Sequence, residues 1–133
     1  MPAKQPLILL VEDDSEMRRL LRDELSDLGC KILEAEDGDE ALKRIKDSPP
    51  DLILTDLRMP AGELDYLDRV RAVAPACPVI LMTAFGDART KEEAFKSGVA
   101  AYFDKPVRMS DLRAAVAALL KENGILPHAQ SQQ

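Results

Sequence analysis

Short unbroken apolar runs alternate along this chain with apolar positions spaced as on a helix. Leu7-Ile8-Leu9-Leu10-Val11 has no polar interruption, the pattern of a strand covered on both faces. Met17, Leu20, Leu21, Leu25 and Leu28 then recur at helical spacing and stop at Gly29, a natural residue for the turn that closes a helix. Ile32 to Ala35 reads as a short strand. Asp37 stands three residues before Glu40, a capping-box-like start to a helix carrying Ala41, Leu42 and Ile45, which Ser48-Pro49-Pro50 ends. Leu52 to Thr55 is a strand, and Leu64 to Ala74 a helix with Leu67, Val70 and Val73 as its apolar positions. Val79 to Met82 is a strand, Asp87 to Ser97 a helix closed by Gly98, and Ala101 to Phe103 a strand. The last helix takes Ser110 as its N-cap, puts Leu112, Val116, Leu119 and Leu120 on one face, and ends near Gly124.

Five strands and five helices in strict alternation predict an α/β fold, a doubly wound five-stranded parallel sheet with helices on both faces. Right-handed crossovers narrow the topology to a flavodoxin-like strand order of 2-1-3-4-5. One domain is expected over residues 7–123, after a polar lead at 1–6 and before a polar, Gln-rich tail or linker stub at 124–133.

Composition narrows the function more than the fold. With 46% hydrophobic and 32% charged residues the chain reads as a soluble domain. No apolar run approaches the ~20 residues of a membrane helix and no signal-peptide core follows the start, so a cytoplasmic location is expected. The net charge of −6 argues against direct nucleic-acid binding, which needs clustered Lys and Arg. Cys30 and Cys77 lie far apart without a CxxC, and His128 is the single histidine. That excludes an ordinary zinc site and predicts two reduced, buried or half-buried thiols.

In open parallel sheets the chemistry sits beyond the carboxyl ends of the strands. Those ends carry Glu12-Asp13-Asp14, then Asp56, then Thr83-Ala84, then Asp104-Lys105-Pro106. Acids, a hydroxyl and an amine therefore converge on one edge. Two full charges ~4 Å apart cost about 4 kcal/mol at an effective dielectric of 20, so such carboxylates either hold a proton or share a cation. A hard ion with oxygen ligands, Mg²⁺ (or Mn²⁺), suits them and also accepts phosphate oxygens. With Lys105 adding positive charge, the edge is suited to hold a phosphoryl group beside a carboxylate nucleophile.

The stretches Val11-Glu12-Asp13-Asp14, Leu54-Thr55-Asp56-Leu57-Arg58-Met59-Pro60, Met82-Thr83-Ala84 and Tyr102-Phe103-Asp104-Lys105-Pro106 resemble the signature motifs of response-regulator receiver domains in two-component signalling. The match runs from about Leu7 to Leu120, and four motifs in order are highly specific. The resemblance implies that Asp56 is the phosphoacceptor. It implies that Asp13, Asp56 and the Arg58 backbone carbonyl bind Mg²⁺, with Glu12 acting through water. Thr83, Ala84 and Lys105 would hold the phosphoryl oxygens, and Thr83 and Tyr102 would form the switch. The readout surface would lie roughly over residues 87–122. A histidine kinase or phosphotransfer protein would be the donor, with a phosphorylation-dependent homodimer as a further option. Asp14 is read as a helix-start residue favoured by the helix dipole.

Taken singly, each of these residues has a plainer reading. Glu12-Asp13-Asp14 could be an acidic helix start, Asp56 a turn residue, Thr83 a hydroxyl satisfying a loop amide, Lys105 an exposed lysine and Tyr102 a strand aromatic. Their joint placement at strand ends decides against that. Other functions are also disfavoured. A haloacid-dehalogenase-type phosphatase needs a second Asp two residues after its nucleophile, and here that residue is Arg58. A flavodoxin-type cofactor binder needs a Ser/Thr/Gly phosphate loop where this chain has three acids. A degenerate docking module would lack the intact acids, hydroxyl and lysine. One departure stands out: Glu63-Leu64 replaces the family's usual Asp-Gly pair, so Gly62 is expected to take the turn after Asp56.

Arg58 and Phe85 are expected to flank the phosphoryl group and slow its hydrolysis. Replacing both with small polar residues should then shorten the acyl-phosphate half-life, and an unchanged half-life would count against that role. No effector domain lies in these residues. The expected output is therefore that of a stand-alone regulator, or of the receiver portion of a longer transcription factor or hybrid kinase.

Overall fold

The computed structural model describes residues 5–56, 63–84 and 87–122. The element order is β1 (Leu7–Val11), α1 (Ser15–Ser26), β2 (Lys31–Ala35), α2 (Gly38–Asp47), β3 (Leu52–Asp56), α3 (Glu63–Val73), β4 (Val79–Thr83), α4 (Ala88–Lys96), β5 (Ala101–Asp104) and α5 (Met109–Glu122). All strand pairs are parallel, and the sheet order is β2-β1-β3-β4-β5, as the alternation of elements predicts.

Strand alternation divides the core in two. Ile8, Leu10, Leu52, Leu54, Ile80 and Met82 face α1 and α5, whose Leu21, Leu25, Leu112, Val116 and Leu120 are all buried. On the other face, Leu9, Val11, Ile53, Val79 and Leu81 meet Ala41 and Ile45 of α2, Leu67 and Val70 of α3, and Ala94 of α4. Each fully buried Leu or Ile contributes about 1.5–3 kcal/mol relative to exposure, so the unbroken apolar runs of β1, β3 and β4 anchor the three central strands. Their carboxyl ends are held in one line as a result.

Helix ends follow local chemistry. Asp14 caps α1, its carboxylate accepting from the amides of Glu16 and Met17. Asp37 caps α2 by accepting from the Glu40 amide, while Glu40 reaches back to the Glu36 amide at 2.8 Å. That second bond, first among the causes, holds the Glu40 carboxyl below its usual range. Asp87 caps α4 through the Thr90 amide at 2.7 Å. Gly98 follows α4 at φ +95°, a conformation that favours glycine.

Three expectations need correction. Leu20 is 51% exposed and Val73 40% exposed. The buried face of α1 runs through Leu21 and Leu25, one turn apart, and Leu20 falls beside that stripe instead of in it. Val73 is the last residue of α3, past the buried Leu67 and Val70. Ser110 is not a cap: the first α5 bond runs from the Leu112 amide to the Arg108 carbonyl, so Ser110 lies within the first turn. Gly29, by contrast, takes the turn that closes α1 as expected, at φ +83° two residues after the C-cap Asp27, its amide donating to the Ser26 carbonyl.

Both cysteines are free, Cys30 buried and Cys77 half-buried. Burial, followed by the nearby charge of Asp51, pushes their thiols up to about 11 and about 12, which leaves them unreactive near neutral pH. Among the described residues, no helix is long and apolar enough to cross a membrane.

Candidate functional site

The site forms where β1, β3, β4 and β5 end together. Register sets its layout: Val11 pairs with Thr55, Asp56 with Met82, and Thr83 with Asp104. Glu12 and Asp13 thus follow the strand on one side of Asp56, and Thr83 ends the strand on the other.

Burial is unusual for acids here. Glu12 is 1% exposed and Asp56 8%. Carboxylates are rarely buried without a partner, and the partner is Lys105. Its Nζ lies 2.9 Å from Oε1 of Glu12 and 3.2 Å from Oδ2 of Asp56. The Glu12 backbone is also tied down, since its amide donates to the Ala35 carbonyl at 3.0 Å. Arg18 of α1 donates to the Glu12 carbonyl at 2.7 Å, and the Asp14 amide donates to Glu12 Oε2 at 3.2 Å. Burial raises the Glu12 carboxyl above the usual carboxylate range despite the opposing Lys105 hydrogen bond. Burial works against the charge on Lys105, but its bond to Glu12 and the field of Asp56 outweigh this and raise the ammonium's pKa.

One carboxylate oxygen from each of Glu12, Asp13 and Asp56 lies within 4.8 Å of the others, with Asp13 at the exposed side. An all-oxygen set with three negative charges and one neighbouring ammonium fits a hard divalent cation such as Mg²⁺. A cleft of about 180 Å³ opens over these acids, lined also by Val11, Glu36, Asp37, Gly38 and Tyr66.

The remaining predicted residues fall into three groups. Thr83 is fully buried at the end of β4, and its carbonyl accepts from the Lys105 amide at 2.9 Å. Ala84 follows it, exposed. Tyr102 sits on β5 beside α4, its ring 6.4 Å from that of Phe95 and beneath Lys91 Nζ at 5.7 Å. The Tyr102 hydroxyl is shielded from solvent with no hydrogen-bond partner among the described residues. Burial and the charge of Asp104 push the phenol up to about 12. Arg58, Gly62 and Phe85, and with them the expectations about the loop turn and phosphate shielding, lie outside the described residues.

The response regulator receiver domain model matches residues 8–117, from within β1 into α5, and includes every residue of this site. The chain belongs to the response regulator receiver domain family. The chain is 37% identical over 114 residues to the transcriptional regulatory protein ResD of Bacillus subtilis, covering 86% of this chain and 48% of that one. It is 34% identical over 122 residues to the transcriptional regulatory protein ZraR of Escherichia coli O157:H7, covering 90% of this chain and 27% of that one. The crystal structure of the NtrX receiver domain from Brucella abortus superposes with a TM-score of 0.77 at 30% identity, covering 86% of this chain and 98% of that one. This receiver domain therefore spans between about a quarter and a half of the length of these curated relatives.

Sequence reasoning did not select Tyr66 or Arg18. Tyr66 lies on α3 next to the core residue Leu67, and an aromatic at that spacing reads as core packing. Arg18 reads as one more exposed helix charge; only the fold brings it to Glu12 and to Glu34, at 2.9 Å.

Proposed function

We propose that Asp56 accepts a phosphoryl group from a phosphohistidine on a partner histidine kinase or phosphotransfer protein, in a reaction that depends on Mg²⁺ (or Mn²⁺). The observation that carries this reading is the convergence of Glu12, Asp13 and Asp56 oxygens within 4.8 Å, with the Lys105 ammonium bonded to both Glu12 and Asp56. Glu12, Asp13 and Asp56 would hold the cation together with the Arg58 carbonyl, and when bound it neutralises charge on the phosphoryl oxygens.

The chain's own residues supply the rest. An Asp56 oxygen attacks phosphorus; the new P–O bond forms as the P–N bond breaks, its electron pair leaving with the imidazole. Lys105 stands ready to pair with one phosphoryl oxygen, and Thr83 with the Ala84 backbone to bind another. The role is that of a switch: the chain catalyses its own phosphorylation and slow dephosphorylation and turns over no metabolite. Phosphorylation would draw Thr83 and Tyr102 inward and shift the α4-β5-α5 surface between two populated states. The Tyr102 hydroxyl, shielded from solvent and without a hydrogen-bond partner among the described residues, supports that role, since a shielded polar group gains by moving to a partner. The longer relatives, both transcriptional regulatory proteins by name, support a transcriptional output through further domains.

The test is metal dependence. Incubated with a small acyl-phosphate donor, the protein should be labelled when Mg²⁺ is added and not after chelation with EDTA. Equal labelling in both conditions would overturn the metal-dependent reading.

A further inference from the structure

The reaction proposed above gives Tyr66 no task, yet its contacts lead to the acceptor. Its hydroxyl lies 3.1 Å from Oγ1 of Thr55, the residue directly before Asp56. Thr55 is fully buried, and its Oγ1 also donates a long bond, 3.4 Å, to the Asp56 carbonyl. A threonine hydroxyl has a single proton. With that proton on the Asp56 carbonyl, the Tyr66 phenol is the donor to Thr55.

The ring is held from the other side by α2. A Cβ at Gly38 would lie 2.9 Å from Tyr66 Cδ1 and 3.2 Å from Cε1, so only glycine lets the ring lie this close. Tyr66 therefore braces α3 against both the start of α2 and the end of β3. It also walls the cleft that Glu12, Asp13 and Asp56 share.

We propose that Tyr66 is a positioning residue for the acceptor: through the Thr55 hydroxyl it fixes the Asp56 carbonyl at the end of β3, and its ring closes the α2 side of the cleft. The Asp56 carboxylate is thereby presented in one orientation. This rests on the reading of Asp56 as phosphoacceptor. Reaction rates are sensitive to such fixing, because a misplacement of about 1 Å can cost ~100-fold. A bond acting through one intermediate residue should cost less, roughly tenfold.

The experiment compares the parent, Tyr66→Phe, Thr55→Val and the double variant, labelled by a small acyl-phosphate donor at saturating Mg²⁺, with Asp56→Asn as the blank. Each single variant should lower the saturated labelling rate about tenfold with little change in the half-saturating donor concentration. The double variant should be no slower than either single one, as for two residues in one chain of contacts. A parental rate in Tyr66→Phe, or effects that multiply in the double variant, would overturn the proposal. Gly38→Ala, which drives a methyl into the ring, serves should Tyr66→Phe fail to fold: it should slow labelling, and a parental rate in it overturns the proposal equally. An unlabelled parent would defeat the acceptor reading itself; a labelled parent with an unaffected Tyr66→Phe would defeat the positioning role alone.

Discussion

Asp56→Asn protein is expected to take up no phosphoryl group from a small acyl-phosphate donor while remaining folded. The amide has nearly the shape of the carboxylate but is no nucleophile, so the covalent step has no acceptor. The fold should tolerate the change. Asp56 is almost fully buried beside the buried Glu12, and removing one of two neighbouring like charges relieves repulsion. Lys105 keeps Glu12 as its partner at 2.9 Å. Urea unfolding should therefore give a stability equal to or above the parent's, alongside complete loss of labelling. Parental labelling of the variant would move the acceptor elsewhere.

Lys105→Met should produce the second largest effect. The methionine fills a similar volume but removes the ammonium that bridges Glu12 and Asp56 at 2.9 and 3.2 Å. Removing a preorganised group from the position where charge develops typically costs 10²–10³-fold in rate, and a labelling rate lower by about 100-fold is expected. Cation binding should move the other way. With one positive charge gone from among three carboxylates, Mg²⁺ should bind at least as tightly, as read by shifts of the Asp13 and Asp56 amide resonances in a titration. Slower labelling with retained Mg²⁺ affinity separates the lysine's role from that of the acids. If labelling and Mg²⁺ affinity both stayed at parental values, Lys105 would have no part in the chemistry.

The fold was legible because its signals are strong and local. The apolar runs of β1, β3 and β4 admit few other assignments, and Asp37 and Asp87 mark helix starts by a chemistry that works over three residues. Leu20 and Val73 were less legible, because an apolar residue beside or just past a helical stripe has the same sequence pattern as one within it. Ser110 reads as a cap in the sequence because a serine in the first helical turn and a serine cap look alike until backbone bonds are known. At the site, Glu12, Asp13, Asp56, Thr83 and Lys105 could be found because each ends a strand or stands within two residues of its end, and parallel topology brings strand ends together. Tyr66 and Arg18 come from helix sides and reach the site by the lengths of their side chains. Their roles depend on distances, 3.1 Å to Thr55 and 2.7 Å to the Glu12 carbonyl, which spacing alone does not reveal.

One carboxylate, Asp56, is proposed to carry the phosphoryl group. Borohydride reduces an acyl phosphate to an alcohol, so reduction of the labelled protein followed by peptide mass spectrometry reads the acceptor directly. The expected result is one modified residue, homoserine in place of Asp56, with Glu12, Asp13, Asp14 and Asp104 unchanged. Modification at any of those four residues, with Asp56 intact, would contradict it.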